Sequence, residues 1–159
     1  MDTIVSRTNF NRPFSNVVNQ LRSVGLRPTR QRLALAKLLF DADETRHVSA
    51  EALHAEAVES DIRVSLATVY NTLHQFVDVG LLQEVVVDSN RTYFDTNTAS
   101  HHHFFEKGTG LLVDIPETSV AVDVKNSVPS GMRVVSTEVV FRLEPHDGPS
   151  RTDKAVNDN

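Results

Sequence analysis

The chain of 159 residues has no cysteine. That one absence excludes disulfides, thiolate zinc sites and thiol catalysis. No apolar run is long enough to span a bilayer. Residues 1–11 carry no apolar stretch of the signal-peptide kind, so a cytoplasmic protein is expected. There is no HExxH helix, no serine nucleophile elbow and no glycine-rich phosphate loop, which removes common marks of hydrolases and nucleotide enzymes. Acidic residues are missing from one stretch. Between Thr3 and Phe40 stand seven basic residues (Arg7, Arg12, Arg22, Arg27, Arg30, Arg32, Lys37) and no Asp or Glu, in a chain of net charge −5. A basic segment can serve phosphate contacts even in an acidic protein. A solvated helix face would read the same way.

The length fits one domain or two small ones, and 40% hydrophobic residues suffice for a core without staples. Apolar residues repeat at helical spacing from Phe14 through Val17, Val18 and Leu21, with Gly25 placed to end the helix. Arg27-Pro28-Thr29 breaks the chain, and Thr29 is positioned to cap a second helix to about Phe40. Ser49 opens a third helix over Ala50–Glu59. Ser65 opens a fourth that stops at Gly80. The fourth has an apolar stripe (Leu66, Val69, Leu73, Phe76, Val77). Its opposite face is small and polar (Ala67, Thr68, Asn71, His74, Gln75), with no Lys or Arg. Leu82–Val87 and Thr92–Asp95 then read as strands joined by Asp88-Ser89-Asn90-Arg91. Helices followed by a β-hairpin make the winged-helix pattern, whose last helix enters the DNA major groove.

Beyond Thr98 the composition turns β-rich. Strands are expected at His101–Glu106, Leu111–Ile115 and Arg133–Leu143, with a short helix between Glu117 and Asn126. The long apolar strand Val134–Leu143 invites pairing with a second copy. The fold class is therefore α+β: an N-terminal winged-helix DNA-binding domain and a C-terminal α/β dimerisation domain. The expected boundaries are a flexible N-terminus (1–13), the winged helix (14–96), a dimerisation and sensing domain (97–144) and a disordered tail (145–159). Within the second half, His101-His102-His103 stand together. In an extended chain His101 and His103 share a face and His102 points away. Two imidazoles on one face are half of a metal site; a histidine-rich polar loop is the alternative.

Several stretches together carry a resemblance: His47-Val48-Ser49-Ala50-Glu51-Ala52-Leu53, Ser65-Leu66-Ala67-Thr68-Val69-Tyr70-Asn71-Thr72-Leu73, Gly80-Leu81, Tyr93-Phe94-Asp95 and the histidine triplet. In this order they resemble the ferric uptake regulator (Fur) family over roughly residues 14–143. The missing cysteines, the stretch Gly25–Arg32 and the triple histidine are most similar to its iron response regulator (Irr) branch. The resemblance implies a homodimeric transcription regulator that binds a double-stranded DNA operator and controls iron, manganese or haem homeostasis genes. It implies a regulatory metal held by His47, Asp95, His101, His103 and Asp114. Nitrogen and oxygen donors without sulfur suit Fe(II), Mn(II) or Zn(II). Other members often carry Glu where this chain has Asp95 and Asp114.

The family's structural zinc uses two CxxC pairs. Glu106 and Thr109 occupy the first pair here, so no cysteine-bound zinc is expected. His102 stands where a carboxylate is common, so a further family metal site is expected to be weak or absent. In the Irr branch the triplet is associated with haem, which implies His102 and His103 as haem contacts beside Phe104-Phe105; a solvent-facing His102 is the alternative. For DNA, the resemblance implies Arg27, Ser65, Thr68, Tyr70, Asn71 and Gln75. Asn71 replaces a frequent Arg, and Asn pairs with adenine where Arg favours guanine, so an A·T-leaning operator is expected. His54, His74 and His146 read as incidental. A peroxide-responsive repressor of the same family is the alternative regulator. A metalloenzyme built on the His cluster is a different class. Five protein ligands would leave it little room for substrate.

Overall fold

Three helix starts are fixed by hydroxyl caps. Thr29, Ser49 and Ser65 each sit in extended backbone and accept from the amide three residues on: Arg32 N at 3.3 Å, Ala52 N at 3.1 Å and Thr68 N at 3.1 Å. Such a cap stabilises a helix by about 1 kcal/mol. The structure is a computed structural model and describes residues 14–41 and 44–146. The expected flexible N-terminus (1–13), and the expected tail beyond residue 146, lie outside the described residues. So do Arg7 and Arg12.

The elements run α1 (Phe14–Ser23), α2 (Arg30–Phe40), β1 (His47–Val48), α3 (Ala50–Glu59), α4 (Leu66–Asp78), β2 (Gln83–Asp88), β3 (Arg91–Asp95), β4 (His101–Glu106), β5 (Leu112–Pro116), a 3-10 turn (Glu117–Ser119) and β6 (Val140–Leu143). Two glycines end helices by the same device. Gly25 (φ +80°) and Gly80 (φ +76°) are left-handed, and the next residue's amide reaches back: Leu26 N to Leu21 O at 2.9 Å, and Leu81 N to Phe76 O at 2.8 Å. A side chain at either position would strain the turn.

The chain divides into two units between residues 99 and 100. In the first, four helices and an antiparallel sheet of order β1-β3-β2 enclose one core. Val17, Leu21, Leu35, Leu39, Leu53, Val69, Leu73, Phe76 and Phe94 are all buried in it. This is a winged helix, with β2–β3 as the wing. In the second unit, β4 is the centre of a three-stranded sheet of order β5-β4-β6, antiparallel to β5 and parallel to β6. The α+β expectation holds.

Two expected elements in the second half are corrected. The last strand starts at Val140, not Arg133. β6 runs parallel to β4 with Val140 opposite His103, so residues up to Thr137 would lie opposite the chain that precedes β4, where the described residues form no strand. The helix expected over Glu117–Asn126 is only the 3-10 turn at Glu117–Ser119. Val120, Val122 and Val124 recur at period two, which gives a helix no apolar face.

The turn after β4 is closed by a carboxylate. Glu106 accepts from Gly108 N at 2.8 Å and Thr109 N at 2.7 Å, and from the Thr109 hydroxyl. These donors, the Thr109 hydroxyl foremost, hold the Glu106 carboxyl below its ordinary pKa. Glu106 and Thr109 thus brace the turn through hydrogen bonds.

Candidate metal centre and DNA-reading face

Each unit gathers part of the expected ligand set. In the first, a two-residue strand does the positioning. β1 pairs with β3 so that His47 lies opposite Asp95, and His47 Nε2 stands 3.3 Å from Asp95 Oδ2. Asp95 is fully buried. Its other oxygen accepts from Asn97 N at 2.7 Å, which fixes the carboxylate's orientation.

In the second unit the alternation of β4 does the positioning. His101 and His103 fall on one face, with Nε2 atoms 2.9 Å apart. Asp114 on β5 is the register partner of His103. Its Oδ1 is 3.5 Å from His101 Nε2 and 3.7 Å from His103 Nε2. Donors sharing one divalent ion at about 2.0–2.2 Å stand roughly 3.0–3.5 Å from one another. The three ligand atoms of this unit lie within 4.8 Å of each other, so the group fits such an ion with little movement. Asp114, shorter than the Glu often found there, still reaches.

His102 points to the other side, as the alternation requires, but not to solvent. It is 3% exposed, and its Nδ1 accepts from Val139 N at 3.3 Å. The alternative of a solvent-facing His102 is therefore not what the structure shows. The cause is the segment leading into β6, which lies over the imidazole. His103, the other expected haem contact, is fully buried.

On the polar face of α4 the expected DNA residues differ in how they are held. Asn71 is exposed. Ser65 and Thr68 are joined at 2.9 Å through their hydroxyls. The Gln75 amide oxygen accepts twice from Arg32, from Nε at 3.1 Å and from a terminal nitrogen at 2.7 Å. The Arg32 guanidinium also donates to the Arg27 carbonyl at 3.0 Å, which pins the backbone of Arg27 while its side chain is exposed. The Tyr70 hydroxyl donates to Glu51 at 2.5 Å. That bond lowers the Glu51 pKa and raises that of Tyr70. Tyr70 and Glu51, with Ser49, His74, Glu84 and Arg91, line a cavity of about 390 Å³ between α3, α4 and the wing.

Sequence reasoning misses Arg32, Glu51 and β1. Arg32 and Gln75 are 43 positions apart, and Glu51 and Tyr70 are 19 apart. No local pattern signals either pair. The His47-Val48 dipeptide before the Ser49 cap is the one available sign of β1.

The family model for the ferric uptake regulator family matches residues 23–142. A peroxide-responsive repressor, PerR, of Staphylococcus aureus is 33% identical over 98 residues, which is 61% of this chain and 64% of that protein. The chain thus spans just under two thirds of that relative's length. The ferric uptake regulator from Pseudomonas aeruginosa with manganese superposes with a TM-score of 0.61 at 26% identity, covering 80% of this chain and 96% of that one. The Vibrio cholerae ferric uptake regulator superposes at 0.63 with 20% identity, over 80% and 98% of the two chains, a likeness of fold.

Proposed function

The chain belongs to the ferric uptake regulator family, and from that premise we propose that it is a metal-responsive, DNA-binding transcription regulator that controls iron or manganese homeostasis genes. The observation that carries the metal part is the convergence of His101, His103 and Asp114 on one point. His47 and Asp95 would complete the set. Only residues 96–100 separate Asp95 from His101, a tether of at most about 20 Å, so chain length permits one ion to use both groups. The donor set suits Fe(II) or Mn(II), with Zn(II) also accommodated. The Pseudomonas aeruginosa regulator was solved with manganese, which agrees with that chemistry. Bound there, the ion would link residues 14–96, as the DNA-binding domain, to residues 97–144, as the sensing and dimerising one. It would shift DNA binding only by its different affinity for the two arrangements of these domains.

The operator would be read by α4. Asn71 supplies the base contact, with Thr68, Ser65, Tyr70 and Gln75 around it and Arg27 on the backbone. A homodimer is supported by the second sheet. Val113, Phe104 and Phe141 are register partners across its three strands, and they stand 43%, 39% and 40% exposed. An apolar stripe of this kind is covered by a second copy. No described helix is long and apolar enough to cross a membrane. Haem on His103 would compete with the proposed ion, since His103 Nε2 faces Asp114 at 3.7 Å.

The test is binding of the purified protein to A·T-rich operator DNA, metal-free and with Mn(II), Fe(II) or Zn(II). A metal-dependent gain of specific binding is expected. No affinity above nonspecific DNA in any state would refute the regulator reading. The similarity to the Staphylococcus aureus repressor supports a second reading, peroxide response. In that case iron-loaded protein treated with peroxide gains one oxygen atom on His47, His101 or His103 by mass spectrometry, and manganese-loaded protein does not.

A further inference from the structure

The triplet does more than face the proposed ion. Three contacts tie it to two consecutive residues just before β6. The His103 amide donates to the Val139 carbonyl at 3.0 Å. The Val139 amide donates to His102 Nδ1 at 3.3 Å. Glu138 Oε1 lies 3.1 Å from His103 Nδ1. Glu138 is partly exposed, while the His103 side chain is fully buried. The segment they grip runs directly into the strand that carries Phe141.

An imidazole that gives Nε2 to a metal keeps its ring proton on Nδ1 and needs an acceptor there, usually a carboxylate or a carbonyl. His101 Nε2 and His103 Nε2 stand 2.9 Å apart and both face Asp114. With Nε2 given to a shared ion, the ring proton of His103 would sit on Nδ1, and the acceptor within reach there is Glu138.

We propose that Glu138 is a positioning residue for the metal centre: it orients His103 and passes the state of that ring to the entry of β6. The proposal rests on the metal reading above. Glu138 would not touch the ion. Its carboxylate would accept the Nδ1 proton once Nε2 is a ligand, and that bond would tighten the chain at Val139 and so the start of the strand bearing Phe141. Ligand occupancy and the order of the β6 edge then become one linked equilibrium.

The experiment uses the full chain with Mn(II), its affinity read by competition with a chromophoric chelator. Amide hydrogen exchange over Val139–Leu143 is followed with and without the ion. Glu138→Ala should lower Mn(II) affinity about 10- to 100-fold. Glu138→Gln, which keeps shape and a weaker acceptor, should fall between it and the native chain. Both variants should lose most of the ion-induced protection at Val139 and Val140. His101→Ala is the control for the underlying reading. If it binds Mn(II) as well as the native chain, the metal centre itself is wrong. If His101→Ala abolishes binding while both Glu138 variants stay within about twofold of native and keep the protection change, the metal centre stands and the role of Glu138 is overturned.

Discussion

The two units solve the burial problem differently. Residues 14–99 close a core on themselves: α1 to α4 and the β1-β3-β2 sheet leave Leu35, Leu53, Val69, Leu73 and Phe76 with no exposed surface. Residues 100–146 do not. Phe105, Leu112 and Ile115 are buried, yet Val135 and Met132 stand 81% and 71% exposed. A monomeric domain rarely leaves such a share of its apolar residues in water. The first unit is thus complete as a single copy, while the second leaves apolar side chains open, as the proposed homodimer would require. The proposed metal ligands divide along the same line, two on the self-sufficient unit and three on the incomplete one.

The sharpest way to break this contrast is through the first core. Phe76→Ala should cost about 3–5 kcal/mol in the unfolding of residues 14–99, measured by urea denaturation. Amide protection in β4 and β5 should stay near native. Equal loss in both regions would show that the units are not independent. Next in size is His101→Ala. Removing a ligand should lower Mn(II) affinity by more than about 100-fold, since outer contacts alone are worth 10- to 100-fold. The unfolding midpoint of the first unit without metal should not move. A smaller effect sharpens the local side: Ser65→Ala should cost about 1 kcal/mol by removing the α4 cap, and an unchanged unfolding midpoint would mean that Ser65 does not cap α4 in solution.

The smallest effect concerns the second unit's turn. The Glu106 carboxyl is held below its ordinary pKa in the folded chain, first by the Thr109 hydroxyl. The unfolded chain therefore binds the proton first as pH falls. The turn's contribution is present above the ordinary Glu value and is lost as pH drops through the lowered one. In acid titrations of the Thr109 amide by NMR, the native chain should show a transition below the ordinary carboxylate range. Glu106→Gln should show none, and a titration at the ordinary value would remove the brace.

What is legible in the sequence follows the same division. Thr29, Ser49 and Ser65 carry their caps within three residues, so local chemistry alone places α2 to α4. Alternation along β4 places His101 and His103 on one face. The Val134–Leu143 run reads too long because strand length is set by its neighbour, and β4 is only six residues. Glu138 gives no sign of itself, because its relation to His103 depends on a parallel register between segments 35 positions apart in the chain. Resemblance, not spacing, supplies His47 and Asp95, whose pairing rests on a strand of two residues.

Arg32 limits how α4, the proposed reading helix, can change over time. One guanidinium holds both the Gln75 amide oxygen and the Arg27 carbonyl, so substitutions at positions 27, 32 and 75 will not combine additively. A lineage that exchanged Gln75 to read a new base would strand a partly buried cation and loosen the loop before α2 in the same step. Asn71 is bound by no such linkage to Arg32. If α4 reads the operator as proposed, preference can drift at position 71, while a change at position 75 is tied to a companion change elsewhere.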